Sequence, residues 1–303
     1  MAVTLVRVGS PEQAELWREL RNQGHGDPVS QETYERLRQM APNTLDLIAE
    51  LDGKPVGVGF AAPNLVDPEG PSAHAGGFVL PEHRRRGVGT ALLPVLSAHA
   101  EALGKTCLDV AVPGDDPDGL TFLTKRGFEL LSRGGMTVLD LSPETVPEPA
   151  PLDGVEIVSL AQRPEAVHGM YEVAREALPD IPGENVTVSS FESWRQIELE
   201  QTLAIPELTL VAYEDGEVIG YATLGDYGDG QGLHLMTGVR RSARGRGLAG
   251  ALKRAQIGAA HTAGLGRLVA FNNEKNEPIR RLNAALGYVP QPPMSVLRGP
   301  LVR

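Results

Sequence analysis

HAGGFVLPEHRRRGVGTALL spans 74–93 and HLMTGVRRSARGRGLAGALK spans 234–253, and the two run in register. Arg84, Gly87 and Gly89 fall on Arg244, Gly247 and Ala249, each 160 residues further on (244 − 84 = 160). Both begin apolar, pass through an arginine–glycine loop and continue into helix formers, an order that reads as strand, loop and helix. The first four N–H groups of a helix lack partners within it, and the helix dipole is positive there. Glycine lets such a backbone approach a phosphate closely, and arginine adds a charge-assisted contact. The loop therefore suits the pyrophosphate of a nucleotide cofactor. A P-loop requires Gly-x4-Gly-Lys-Ser/Thr, which neither stretch contains, and a Rossmann loop follows a first strand, whereas these loops lie in mid-repeat.

The repeat extends on both sides. KRGF (125–128) falls on ALGY (285–288), again 160 apart (285 − 125), and LDGKPVGVGF (51–60) resembles EDGEVIGYAT (214–223), 163 apart (214 − 51). Three matches in one order argue for a duplicated fold. Between the copies, LSPETVPEPAPLDG (141–154) carries Pro143, Pro147, Pro149 and Pro151 without apolar periodicity, so it reads as an extended linker. The expected division is a domain over 1–142, a linker over 143–153 and a second domain over 154–303. Each copy opens with a strand (3–8; 155–160) and proline-led helical stretches (11–22; 164–178). A hairpin follows, turned at Asp52-Gly53 and Asp215-Gly216, a pair suited to positive φ. Strands over 73–80 and 233–240 lead to the loops, with helices over 89–103 and 249–263 after them. A short strand, a helix ending at Gly127 or Gly287, and a closing strand complete each copy. The fold class is α/β: two tandem domains, each a mixed twisted sheet flanked by helices.

Composition bounds the function. The 303 residues suit two domains, and 41% hydrophobic with 22% charged residues is ordinary for a globular protein. A net charge of −11 argues against a nucleic-acid partner, because basic residues cluster only at Arg84–Arg86 and around 240–246. Cys107 is the only cysteine, so no disulfide can form within the chain. The first ten residues lack a signal-peptide pattern and no apolar run spans a membrane, so a cytoplasmic protein without membrane partners is expected, as monomer or homodimer.

The two 20-residue stretches resemble the central motif of the GNAT superfamily of N-acetyltransferases. NNEKNEPIRRLNAALGY (272–288) resembles the strand and helix that follow it there, and DPDGLTFLTKRGF (116–128) is a looser version. The resemblance covers nearly the whole chain, in a mycothiol-synthase-like two-domain layout. It implies acetyl-CoA as cofactor, gripped between splayed strands by the backbone of Phe78, Val79 and Leu80 or of Thr237, Gly238 and Val239. The pyrophosphate is then expected on Arg84, Arg85, Arg86, Gly87, Val88 and Gly89, or on Arg244, Gly245, Arg246, Gly247, Leu248 and Ala249. Asn276 stands where the family commonly contacts the cofactor. Copy one has Asp116 there, so chemistry is assigned to copy two.

Acetyl transfer to an amine needs a proton acceptor, because an alkylammonium has a pKa of ~10.4. It also needs donors for the thioester oxygen and is helped by an acid for the leaving thiolate. The resemblance implies the backbone of Thr237–Val239 as donors. It also implies a tyrosine acid four residues before the helix-ending glycine, but Leu123 and Asn283 stand there. Asn283 is expected to bond the cofactor, and Tyr288 to face the core. His234, matched by His74, lies on the strand leading to the loop and is the candidate base. Asp226 and Asp229 either attract a cationic amine or simply form a turn. Acceptor pockets are expected from 21–43 and 180–205, where Phe191 and Trp194 either line a pocket or cover the core. The expected activity is N-acetylation of a small-molecule amine. A protein or peptide acceptor and an acyl-CoA sensor without turnover stay open.

Overall fold

The computed structural model describes residues 2–24, 28–65, 67, 69–114, 116–181 and 188–303. The chain divides into two compact units, Met1–Arg133 with Met294–Arg303, and Gly134–Pro293.

In the first unit the order is β1 (Val3–Arg7), α1 (Pro11–Asn22), α2 (Gln31–Met40), β2 (Leu45–Leu51), β3 (Lys54–Pro63), β4 (Ser72–Val79), α3 (Val88–Ala102), β5 (Cys107–Pro113) and α4 (Pro117–Thr124). β6 (Glu129–Asp140) leads onward. The second unit has β7 (Val155–Ser159), α5 (Val167–Ala177), α6 (Phe191–Arg195), a π-helical turn (Gln196–Gln201), β8 (Leu210–Glu214), β9 (Glu217–Gly228) and β10 (Gln231–Val239). It continues with α7 (Leu248–Thr262), β11 (Arg267–Asn273), α8 (Glu277–Ala285) and β12 (Val289–Pro290); the chain closes on β13 (Met294–Pro300).

Local chemistry accounts for these elements. Ser10 and Gln13 form a capping box on α1, which begins at Pro11. Asp52 and Gly53 adopt φ of 51° and 78°, and Asp215 and Gly216 adopt 49° and 80°, the paired positive φ of a tight hairpin. The β2–β3 and β8–β9 ladders follow from them.

The sheet of the first unit runs β1-β2-β3-β4-β5-β13, and that of the second runs β7-β8-β9-β10-β11-β6, with β12 also on β6. Within these two sheets, among the described residues, β4–β5 and β10–β11 pair in parallel and the other ladders are antiparallel. The last strand of each sheet comes from the other sequence copy. β13 pairs with β5 from Met294↔Pro113 to Pro300↔Cys107, and its Leu297 is buried in the first unit's core. β6 pairs with β11 from Asp140↔Arg267 to Gly134↔Asn273, with Leu139 in the second unit's core. The compact units thus cut the chain near 133 and 293, whereas the sequence repeat divides it at 142 and 154. Closing strands of similar apolar pattern carry no local signal of which sheet edge they will pair with.

Among the described residues no helix is long and apolar enough to cross a membrane, and no cluster of His, Cys, Asp and Glu could hold a metal.

Candidate active site

Both units part their central parallel strands. β4 and β5 pair from Ser72↔Cys107 to Ala75↔Val110 and no further, although β4 continues to Val79. A cavity of about 430 Å³ opens there, lined by Gly76, Phe78, Val79, Arg84, Gly87 and Gly89 and floored by Leu93, Leu96 and Leu123. A second, of about 290 Å³, shares Gly77, Phe78 and Arg84 and is bounded by Gln23 and Gly24. In the second unit β10 and β11 pair from Gln231↔Arg267 to His234↔Ala270, and β10 continues to Val239.

The two units differ on the other side of that strand. β4 pairs with β3 without interruption from Ala73 to Val79. β10 does not: His234 faces Leu224 and Thr237 faces Ala222, so three steps on β10 match two on β9. The extra residue is a bulge at Leu235–Met236, which removes local amides from the ladder at the point where β10 leaves β11.

The glycine loops are alike. Gly87 and Gly247 are the N-caps of α3 and α7, with φ of 88° and 85° and no side-chain cap. The first helical bonds run from Ala91 N to Gly87 O and from Ala251 N to Gly247 O. The amides of 88–90 and 248–250 are therefore left for an outside acceptor. Gly245 has φ of 76°, and its counterpart Arg85 adopts 62° without glycine's freedom. Arg84 Nε and Arg244 Nε each donate to the carbonyl five residues back, of Val79 and Val239, at 3.2 Å.

Their remaining donors meet different anions. Arg84 Nη1 donates to Asp116 Oδ1 at 3.2 Å, Arg85 lies 3.7 Å from Asp118, and Arg86 is exposed. In the second unit Arg244 Nη1 donates to Asp180 Oδ2 at 2.7 Å, and Arg241 binds both oxygens of Asp180 at 2.7 and 2.8 Å. Arg246 pairs with Glu214 at 2.9 Å. Hydrogen bonds from Arg241, then Arg244, hold the Asp180 carboxyl well below the usual carboxylate range. Asp180 is thus an anion already held by arginines of the loop. Asp180→Asn is expected to tighten binding of acetyl-CoA by the second unit several-fold, because the cofactor's phosphates no longer compete with a fixed carboxylate; titration calorimetry at constant salt checks it.

His234 and Thr237, the residues expected to be catalytic, stand opposite Leu224 and Ala222 of β9, which both pack with α7. His234 is half-buried and its Nε2 is hydrogen-bonded to the Tyr288 hydroxyl. Burial, then the neighbouring Lys253, pushes its pKa well below the ordinary value. Lys253 is 1% exposed, its Nζ lies 5.2 Å from the centre of the Tyr288 ring, and burial pushes its pKa down to about 7. Asn283 is buried and donates to Asn272 Oδ1 at 3.3 Å, leaving its own Oδ1 without a partner. Asn276 is the N-cap of α8, as Asp116 is of α4. Thr237 pairs with Ala222 at the end of the bulge. Asp226 accepts from the Gly228 amide at 2.9 Å and Asp229 adopts φ of 53°, the geometry of a turn. His74 is packed beside Asp109, which Arg298 binds through two bonds of 2.7 Å. Burial raises the Cys107 thiol, so it is a poor nucleophile.

Sequence reasoning missed Glu198. It lies in the π-helical turn and accepts from Thr223 Oγ1 at 2.7 Å, and burial pushes its pKa up to about 7. No helical spacing marks it, because the π-turn sets it off the 3.6-residue face of Trp194. Trp194 is buried in the core with Tyr221, and Phe191 packs against that core. Residues 25–27 and 182–187 of the two expected acceptor stretches lie outside the described residues.

The acetyltransferase (GNAT) family matches residues 14–128 and 168–288. A mycothiol acetyltransferase of Catenulispora acidiphila is 27% identical over 228 residues, 73% of this chain and 69% of that protein. A GCN5-related N-acetyltransferase from Sphaerobacter thermophilus superposes with a TM-score of 0.79 at 19% identity, over 99% of this chain and 96% of that one. A tandem GNAT protein from the clavulanic acid biosynthesis pathway gives 0.73 at 22% identity, over 100% and 99%. At these identities the two structures speak for the fold alone.

Proposed function

The chain belongs to the acetyltransferase (GNAT) family and is an N-acetyltransferase, and from that premise we propose that it acetylates a small-molecule amine, with the chemistry in the second unit. The observation that carries this reading is the bulge at Leu235–Met236, which β4 lacks.

The residues suit acetyl-CoA. The free amides of 248–250, with Arg244 and Arg246, form a seat for a pyrophosphate, and the bonds from Arg241 and Arg244 to Asp180 favour an anion there. The unpaired edge of β10 past His234, with Thr237, Gly238 and Val239, offers a ladder to the amides of a pantetheine arm. When bound, the cofactor supplies an acetyl thioester, an electrophile with a thiolate leaving group. The chain's own part is to aim amides of the bulge at the carbonyl oxygen and to keep water away. His234, bonded to Tyr288 and depressed in basicity, faces the α7 side and is poorly placed to take an ammonium proton.

In the first unit the cleft and loop remain, through Phe78, Val79, Leu80 and 84–89, but the strand is unbroken. We assign it acyl-CoA binding without turnover. The test of the whole reading is release of free CoA thiol from acetyl-CoA across a panel of alkylamines, aminosugars and short peptides. Amine-dependent release supports acetyl transfer. Release with peptides alone moves the acceptor to proteins, and binding of acetyl-CoA without release by any acceptor leaves a sensor.

A further inference from the structure

We infer that Glu198, held against Thr223 beside the bulge of β10, takes the proton of the attacking amine, and that the acceptor is an alkylamine whose apolar body packs on Tyr171, Phe191 and Met236. The inference rests on the assignment of acetyl transfer to the second unit.

The placement comes from the sheet. Tyr221 and Thr223 are two apart on β9 and share a face, and Tyr221 is buried with Val173 of α5 and Trp194 of α6. Leu224 points the other way, into the core with Ile257 of α7. The face that carries Glu198 is therefore opposite to the one that carries Lys253 and Tyr288. Thr223 lies between Ala222, opposite Thr237, and Leu224, opposite His234, so it stands directly across from the bulged residues. Met236 of the bulge packs against the same cluster as Trp194 and Tyr221. A carboxyl bonded to Thr223 is thus on the side of the bulge that α5 and α6 cover.

The surroundings fit an amine. The rings of Tyr171, Phe191 and Trp194 lie 5.4–6.4 Å apart, and Trp194 meets Tyr221 edge-on at 6.3 Å. Aromatic faces attract an alkylammonium and bury its apolar body. The side chains of Trp194 and Tyr221 are 4% and 0% exposed, and the Trp194 indole N–H acts on the Tyr221 hydroxyl. Among the described residues Glu198 has no guanidinium or ammonium partner: desolvation raises its pKa and the Thr223 bond opposes it. Across from it, Tyr221 of β9 feels its charge, while α5 presents Tyr171 and His168, which pack on Phe191. On its own helical stretch, Arg195 is taken by Glu192 and Glu200. A carboxylate poised near neutrality beside an apolar amine site is a general base. A π-turn carries it, a distortion common at functional sites.

In the step, the ammonium first gives one proton to water, the free amine nitrogen then forms its bond to the acetyl carbon, and the C–S bond breaks with its electron pair going to sulfur. The proton shed by nitrogen passes to the Glu198 carboxylate and then to water.

The test uses the full chain, acetyl-CoA, and phenethylamine, hexylamine and glucosamine as acceptors. Glu198→Gln is expected to lower kcat about 100-fold or more, to remove the limb near pH 7 from the rate profile, and to leave calorimetric affinity for acetyl-CoA unchanged. Thr223→Val keeps the carboxyl but removes the bond that lowers its pKa, so the limb moves to higher pH. A Glu198→Gln enzyme with wild-type rate and limb overturns the base while acetyl transfer stands. Glucosamine turned over as well as the two apolar amines overturns the acceptor class. Wild-type protein that binds acetyl-CoA and acetylates none of the three overturns this inference together with the function it rests on.

Discussion

Gly247→Asp is expected to abolish binding of acetyl-CoA by the second unit without unfolding it. Gly247 has φ of 85°, and a Cβ built there meets nothing within 4 Å, so the cost of the side chain is backbone strain alone. Aspartate tolerates the left-handed region better than most residues, at about 1–2 kcal/mol. The new carboxylate would stand at the N-cap of α7, where the amides of 248–250 are free, at the end of the loop that carries Arg244 and Arg246. It would cap those amides itself and set a fixed negative charge against the incoming pyrophosphate. Loss of affinity by at least ~100-fold follows, about 2.7 kcal/mol at ~1.36 per decade. Gly87→Asp should do the same to the first unit, since Gly87 has the same φ range and equally open space. Calorimetric stoichiometry separates them. Two sites in the wild type should fall to one in either variant and to none in the double variant. Gly247→Asp with the same stoichiometry and affinity as wild type would put the cofactor elsewhere.

The loops and hairpins were legible because they depend on residues with special backbones. Gly87, Gly247 and the Asp-Gly turns adopt the positive φ that their positions in the sequence imply. The bulge in β10 was not legible, because Leu235 and Met236 are ordinary apolar strand residues and only the register with β9 reveals the extra one. Asn276 had been read through the cofactor, and the structure shows it capping α8, a use its position before Glu277 and Pro278 equally supports. The exchange of β6 and β13 is a property of sheet edges, which no window of sequence contains. Glu198 lay inside a stretch recognised as an acceptor wall, but its π-turn breaks the 3.6-residue spacing that would have marked its face. Lys253 was the most accessible omission. Laying one copy on the other sets it on Leu93, Gln256 on Leu96, Asn283 on Leu123 and Tyr288 on Phe128, so four apolar core positions turn polar in the second copy.

That alignment makes Lys253→Leu the second large effect: the second unit should gain about 4 kcal/mol at neutral pH and below. Lys253 is 1% exposed and burial pushes its pKa down to about 7, against ~10.4 in an unfolded chain. Between those values the unfolded state binds more protons than the folded one, so stability rises with pH across the window from about 7 to ~10.4. Below the window the folded state must either hold a buried ammonium or give up its proton, and it carries the full penalty of ~3.4 units at ~1.36 kcal/mol each. Leucine removes that penalty, and Leu93 shows the chain already packing leucine at the matching position of the first unit. Glu198 acts with the opposite sign. Its folded pKa of about 7 stands above the ~4.3 of an unfolded glutamate, so stability falls as pH rises through that lower window. These two groups together set a minimum near pH 7 in the stability of the second unit, about 3–4 kcal/mol deep. Denaturant unfolding from pH 5 to 9 reads both limbs: Lys253→Leu should flatten the rise above pH 7, and Glu198→Gln the fall below it. A wild-type midpoint that stays level from pH 7 to 9 would mean that the Lys253 ammonium finds water despite its burial, and the gain from leucine would shrink with it.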